Sequence, residues 1–290
     1  MNEEFILAGK ITARVREESR KWIVKGAKYT NIADKIEDRI KELGARPAFP
    51  VNISVNDKAA HDTARPEDER ELKSGDVVKI DLGAHVNGWL GDSAYTIEVE
   101  TEKYKELINA SKEALNNALA IVNKKTKLYE IGKIIEATIM KKGYQPIRNL
   151  CGHPLNQWEM HGEFIIPNYD NNSKQELGEG KYAIEPFATN GEGWVINDNE
   201  TLIYNLENKR PTRNPIARDI LKHVDKYYGT LPFAERWIAR EIKHYEYGLK
   251  SLLQEGIMHA YNVLKEKSKG IVAQSEHSIL INEKTTVTTI

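Results

Sequence analysis

Two aspartates stand where a strand should carry apolar side chains. In the stretch "KIDLGAHVNGWLGDSA", Lys79 to Ala94, Asp81 sits inside an apolar run and Asp92 follows eleven positions later. Aspartate is a poor strand former and is rarely buried without a partner. Asn87-Gly88 is a strong signal for a two-residue hairpin turn. Such a turn pairs Val86 with Trp89, Gly83 with Asp92 and Asp81 with Ala94. Side chains alternate along a strand, so Asp81 and Gly83 share a face. The two aspartates are then diagonal neighbours on that face, roughly 7–8 Å apart at the backbone. Carboxylates this close repel each other unless they share a proton or hold cations.

A shared proton points to acid–base work by a dyad, and a cation points to hard oxygen ligation. Three further segments each carry an isolated polar residue among apolar or small neighbours: His153 in "NLCGHPL", Glu185 in "YAIEPF" and Glu276 in "VAQSEHS". Taken singly, each has a plainer reading. An aspartate can end a strand, a histidine can be a satisfied half-buried group, Glu185 precedes Pro186, and Glu276 can pair with a lysine. Taken together, several carboxylates with one imidazole suit two divalent first-row metals. Two such ions about 3.5–4 Å apart can ionise a water and polarise a carbonyl.

These residues need a scaffold, and the chain of 290 residues is long enough to bury a substantial core. Its net charge of −1 gives no electrostatic reason to bind DNA or an anionic membrane. One cysteine excludes an internal disulfide framework. No apolar run reaches the roughly 18 residues of a membrane span, and the first ten residues lack signal-peptide features. The expectation is a soluble, cytoplasmic, monomeric protein.

Helical periodicity covers residues 3–25, and Thr30 is the expected N-cap of a second helix carrying Ile32, Ile36 and Ile40, ended by Gly44. A strand is expected at 49–56, then a polar loop, then the hairpin. Helices at 103–123 and 128–142 and the segment "YQPIRNLCGH" repeat this order. A shift of 99 residues superimposes Ile32 on Ile131, Ile36 on Ile135, Glu37 on Glu136, Ile40 on Ile139, Gly44 on Gly143 and Pro47 on Pro146. Two copies of a helix–helix–strand unit imply a pseudo-symmetric α+β core. Residues 181–198 read as one further strand. The expected division is a core over 1–205, a helical insertion over 206–267 and strands over 268–290 that complete the core.

The segments "FPVNISVN…AAH", "KIDLGAHVNGWLGDSA", "IRNLCGHPLNQWEMHGEFIIPN", "YAIEPFAT" and "IVAQSEHS" resemble methionine aminopeptidases of the type 2 class, in the short form typical of archaea. The resemblance covers essentially the whole chain. It implies the pita-bread α+β fold, with pseudo-two-fold halves around a curved antiparallel sheet. It implies two divalent ions, of Co, Mn, Fe or Zn, on Asp81, Asp92, His153, Glu185 and Glu276, with Asp92 and Glu276 bridging. Glu185 is the implied proton-exchanging group, and His61 and His161 are implied at the scissile bond. Phe49, Met160, Phe187 and Tyr261 match the methionine pocket. The implied partners are nascent polypeptide N-termini, with the ribosome as a docking platform. The type 2 assignment rests on the long segment between Glu185 and Glu276. Ser275 and Asn262 depart from the usual family residues, Phe and Pro, and "NQWEM" is unusual. Two other readings compete: a proline-directed peptidase of the same fold, and a non-catalytic ribosome- or RNA-binding relative.

Overall fold

The computed structural model describes residues 2–290. The first half of the chain runs α1 (Asn2–Ser19), α2 (Tyr29–Glu42), β1 (Arg46–Pro47), β2 (Asn52–Val55), β3 (Lys58–Ala60), β4 (Val77–Val86) and β5 (Trp89–Glu98). Asn87 and Gly88 take φ of 50° and 82°, the left-handed values that a tight hairpin turn requires. The register follows, with Gly83 opposite Asp92 and Asp81 opposite Ala94. Helix α1 lies on this hairpin at close range, and a Cβ on Gly91 would stand 2.6 Å from the Gly9 Cα.

The second half runs α3 (Lys105–Ile121), α4 (Leu128–Lys141), β6 (Gln145–Pro146), β7 (Cys151–Pro154), β8 (Ile166–Pro167), β9 (Gly180–Ile184) and β10 (Phe187–Thr189). The 99-residue shift carries α2 onto α4, β1 onto β6 and β2 onto β7, boundary for boundary. Each half buries its own core: Ile32, Ile36 and Ile40 in one, Ile131, Ile135 and Ile139 in the other. Every strand pairing is antiparallel. The fold is the expected pita-bread arrangement of antiparallel sheets covered by helices.

Beyond the halves lie β11 (Val195–Leu206), α5 (Pro215–Tyr227), β12 (Phe233–Ala234), the short α6 (Glu235–Ala239), α7 (Tyr245–Gln254) and β13 (Met258–Glu266). The chain ends in β14 (Val272–Gln274), β15 (His277–Ile281) and β16 (Thr285–Val287). β14 pairs with β10 and β15 with β9. Cross-links then join this tail to the first half: Glu276 N–H donates to Ala94 O at 3.0 Å, and Ser93 Oγ donates to Glu276 O at 2.7 Å.

Several local expectations are corrected. The helical reading of 206–267 fails near its end, because Met258–Glu266 is a strand paired with β11 along most of its length. Gly256, at φ 62°, ends α7, and pairing with a distant strand overrides the apparent helical period. Residues 181–198 are three elements, since Pro186 interrupts the ladder between β9 and β10. Helix α1 stops at Ser19, before a single 3₁₀ turn. Thr30 lies inside α2, whose N-cap is Lys28.

Candidate metal centre

The hairpin delivers Asp81 from β4 and Asp92 from β5, and Gly83 beside them leaves room for Phe49, whose ring a Cβ there would strike. His153 comes from β7, opposite Ala183 of β9. Glu185 follows β9 directly, and Glu276 stands between β14 and β15. Both halves and the tail therefore contribute to one site.

The five side chains converge on a single cavity of about 190 Å³. His153 Nε2 lies 3.9 Å from Asp92 Oδ2 and 3.7 Å from Glu185 Oε1. Asp92, His153 and Glu276 each offer a ligand atom, and these atoms lie within 4.8 Å of one another. Asp81 Oδ1, Asp92 Oδ1 and Glu276 Oε2 are buried and accept no hydrogen bond from the protein. Buried carboxylate oxygens are costly without a partner, and three of them beside one cavity form a donor set suited to a cation.

Electrostatics agree with that reading. Burial pushes the Asp81 carboxyl up to about 7. Burial first, and then the charge of Asp81, pushes Asp92 well above the carboxylate range. Glu185 and Glu276 are raised in the same way, by burial and then by their acidic neighbours. Burial brings His153 down to about 4, leaving it a neutral imidazole able to ligate. Four carboxyls that cannot all ionise alone, with one neutral imidazole, form a donor set suited to divalent cations. The residues fit the implied metal ions.

The expected neighbours line the same cavity: His61, His161, Phe49, Met160, Phe187 and Tyr261. The His161 ring centroid stands 4.5 Å from that of His153, and Tyr261 lies 5.5 Å from His61 and 6.3 Å from His161. His61 has a left-handed backbone, φ 64°, and its N–H donates to Asn52 Oδ1 at 2.7 Å. Its Nδ1 faces Asn262 O at 3.1 Å. A carbonyl only accepts, so Nδ1 carries the proton and Nε2 keeps its lone pair. Burial lowers the His61 pKa and holds the ring neutral. The environment of His161 is stronger still, with burial and then His153 and His61 keeping it well below the usual histidine range.

Sequence reasoning missed Gln274 and Asn52. Gln274 Nε2 donates to Asp81 Oδ2 at 3.4 Å and to Glu185 Oε2 at 3.3 Å, bridging ligands from the two halves. Its position two residues before Glu276 was the available signal. Asn52 stands opposite Asp81 in the β2–β4 ladder, a pairing that no local pattern announces. Leu150, Ile203 and Pro232 complete the apolar wall.

A pita-bread scaffold closing on a buried carboxylate–imidazole cluster defines a metallopeptidase, and the comparisons agree. The chain belongs to metallopeptidase family M24, whose family model matches residues 3–283. It is 45% identical over 282 residues to the methionine aminopeptidase of Methanocaldococcus jannaschii, covering 97% of this chain and 95% of that one. It is 44% identical to the methionine aminopeptidase of Archaeoglobus fulgidus over 284 residues, 98% of this chain and 96% of that one. Among solved structures, the methionine aminopeptidase of Thermotoga maritima superimposes with a TM-score of 0.72 at 24% identity, covering 99% of this chain and 95% of that one. This last likeness concerns the fold.

Proposed function

We propose that the chain removes N-terminal methionine from nascent polypeptides as a metal-dependent aminopeptidase of the type 2 class, preferring a small second residue. The observation that carries the reading is the convergence of four carboxyls, those of Asp92 and Glu276 buried and those of Asp81 and Glu185 half-buried, with one neutral imidazole on one cavity, three of the carboxylate oxygens having no protein partner. The type 2 assignment is supported by the helical segment between β11 and β13.

Asp81, Asp92, His153, Glu185 and Glu276 would hold two divalent ions. When bound, the ions lower the pKa of water and polarise the scissile carbonyl. Glu185 would take a proton from the attacking water and pass it to the leaving amine. His61 Nε2 accepts the scissile amide N–H, since its own proton is committed to Asn262 O. His161 donates to the substrate carbonyl oxygen and steadies the negative charge that develops there. Phe49, Met160, Phe187 and Tyr261 enclose the methionine thioether, which packs well on aromatic rings. The rings of His61 and His161 crowd the space for the second residue and disfavour large side chains.

We place this activity in the cytoplasm, on a monomer that docks at the ribosome as new chains emerge. No helix among the described residues is long and apolar enough to cross a membrane. A peptide panel tests the reading. Manganese-loaded protein is expected to release methionine from Met-Ala-Ser, to act slowly on Met-Lys-Ser, and to leave Ala-Pro intact. Cleavage of Ala-Pro with Met-Ala-Ser untouched would refute it in favour of a proline-directed enzyme.

A further inference from the structure

An enzyme acting on many different N-termini must hold the chain beyond the second residue without reading its side chains, and strand β13 has a free edge suited to that task. β13 pairs on one side with β11. On the other side it pairs with β3, but only through Leu264 opposite Ala60 and Lys265 opposite Lys58. The chain then leaves that lane at His61, whose left-handed φ of 64° turns it away. Among the described residues no strand occupies the lane beside residues 258–263.

The backbone polarity of this edge follows from two bonds. Ile257 O accepts from Glu207 N–H at 3.0 Å, so Ile257 faces the β11 side. Asn262 O accepts from His61 Nδ1, so Asn262 faces the open side. In an antiparallel strand successive residues alternate in the side to which their N–H and C=O point. Met258, Ala260 and Asn262 therefore direct their main-chain groups into the open lane. No side chain or loop backbone among the described residues bonds to those of Ala260. Asn262 is at the cavity through His61, and Ala260 is two residues, about 7 Å, further out.

We propose that the polypeptide beyond the scissile bond binds as an added strand in this lane, its third residue exchanging main-chain hydrogen bonds with Ala260. Direction supports the pairing. β3 runs beside β13 towards the cavity and stops there, and a substrate with its N-terminus in the cavity continues along the same lane in the same direction, antiparallel to β13. Tyr261, between those outward-facing residues, sits in the cavity wall. Main-chain pairing gives affinity with little sequence demand, which suits a catalyst for diverse nascent chains. An unpaired edge beside a catalytic cavity is otherwise a liability for aggregation.

The inference rests on the methionine-removing reading, and the experiment separates the two. The metal-loaded enzyme is assayed on Met-Ala, on Met-Ala-Ala-Ser, and on its ester analogue with lactate as the third residue, which replaces that residue's N–H by oxygen. The expected result is a kcat/KM for the ester about tenfold below that of the amide, carried mainly by KM, as the loss of a ground-state hydrogen bond requires. An Ala260→Pro variant, which lacks the outward N–H and is tolerated best on an edge strand, should lower the ratio of kcat/KM for Met-Ala-Ala-Ser to that for Met-Ala. Ester and amide cleaved within twofold of each other, with that ratio unchanged in Ala260→Pro, would overturn the strand pairing while leaving the function intact. No release from any of the peptides, Met-Ala included, would overturn the functional reading and the pairing with it.

Discussion

Glu37 of α2 and Arg236 of α6 lie 199 positions apart and form a buried ion pair that fastens the helical segment to the first half of the core. They are 2% and 1% exposed. Glu37 Oε1 takes the Arg236 guanidinium and the Val51 N–H, the latter at 3.3 Å, and Oε2 takes Trp237 Nε1 at 2.8 Å. The bond is made by Arg236 Nη2, and Arg236 Nε and Nη1 are buried with no hydrogen-bond partner. Glu37→Met therefore leaves a buried guanidinium without compensation, and the buried Val51 N–H and the half-buried Trp237 Nε1 without their acceptor. Breaking a buried pair from one side costs about 3–5 kcal/mol, which at roughly 2 °C per kcal/mol for a large domain lowers Tm by about 6–10 °C. Arg236→Met should cost a similar amount. The double variant replaces both charges by apolar side chains and should recover about 2 kcal/mol or more relative to the sum of the single losses. Urea unfolding followed by tryptophan fluorescence measures all three. Pro232, close to this contact in sequence, lines the cavity, so the single variants should also raise KM for Met-Ala-Ser more than they lower kcat. Single losses below about 1 kcal/mol, or strict additivity in the double variant, would refute the claim that this pair docks the segment.

Two further outcomes are expected. His85 is held neutral in the fold, its pKa brought down by burial from the ordinary histidine value of 6.5 to about 4. Below pH 6.5 the unfolded chain takes up a proton that the folded chain refuses, so stability falls as pH drops towards 4, by about 3 kcal/mol. Between pH 7 and pH 4.5 the wild type should lose more stability by urea unfolding than His85→Gln does, the difference being most of that amount. Gln274→Leu should weaken manganese binding about tenfold without unfolding the protein, because it removes the donor shared by Asp81 and Glu185. Isothermal titration of the metal-free protein reads this directly.

Much of this architecture is legible in the sequence because much of it is local or repeated. Asn87-Gly88 dictates a hairpin register, and that register alone puts Asp81 and Asp92 on one face. The 99-residue shift is readable because both halves reuse the same glycine stop, Gly44 and Gly143, each at φ 84°. What fails is non-local. Met258–Glu266 becomes a strand because β11, some fifty residues earlier, offers a ladder, and its own alternation is too weak to announce it. The docking of Glu37 on Arg236 and the bridging by Gln274 are likewise contacts between distant segments, with no periodic signature. Asn52, which fixes the backbone of His61, looks in sequence like any polar residue on a half-exposed strand, yet it is buried.

The most direct test of the central claim is a paired titration of metal-free protein with Mn(II), following bound metal and methionine release from Met-Ala-Ser in the same samples, for the wild type and for Asp92→Asn. Release should rise in step with bound metal in the wild type. Asp92→Asn, which removes a charge from the buried cluster, should lose both metal affinity and release. Full release from the metal-free protein, or an Asp92→Asn variant that binds metal and turns over as the wild type does, would contradict the claim.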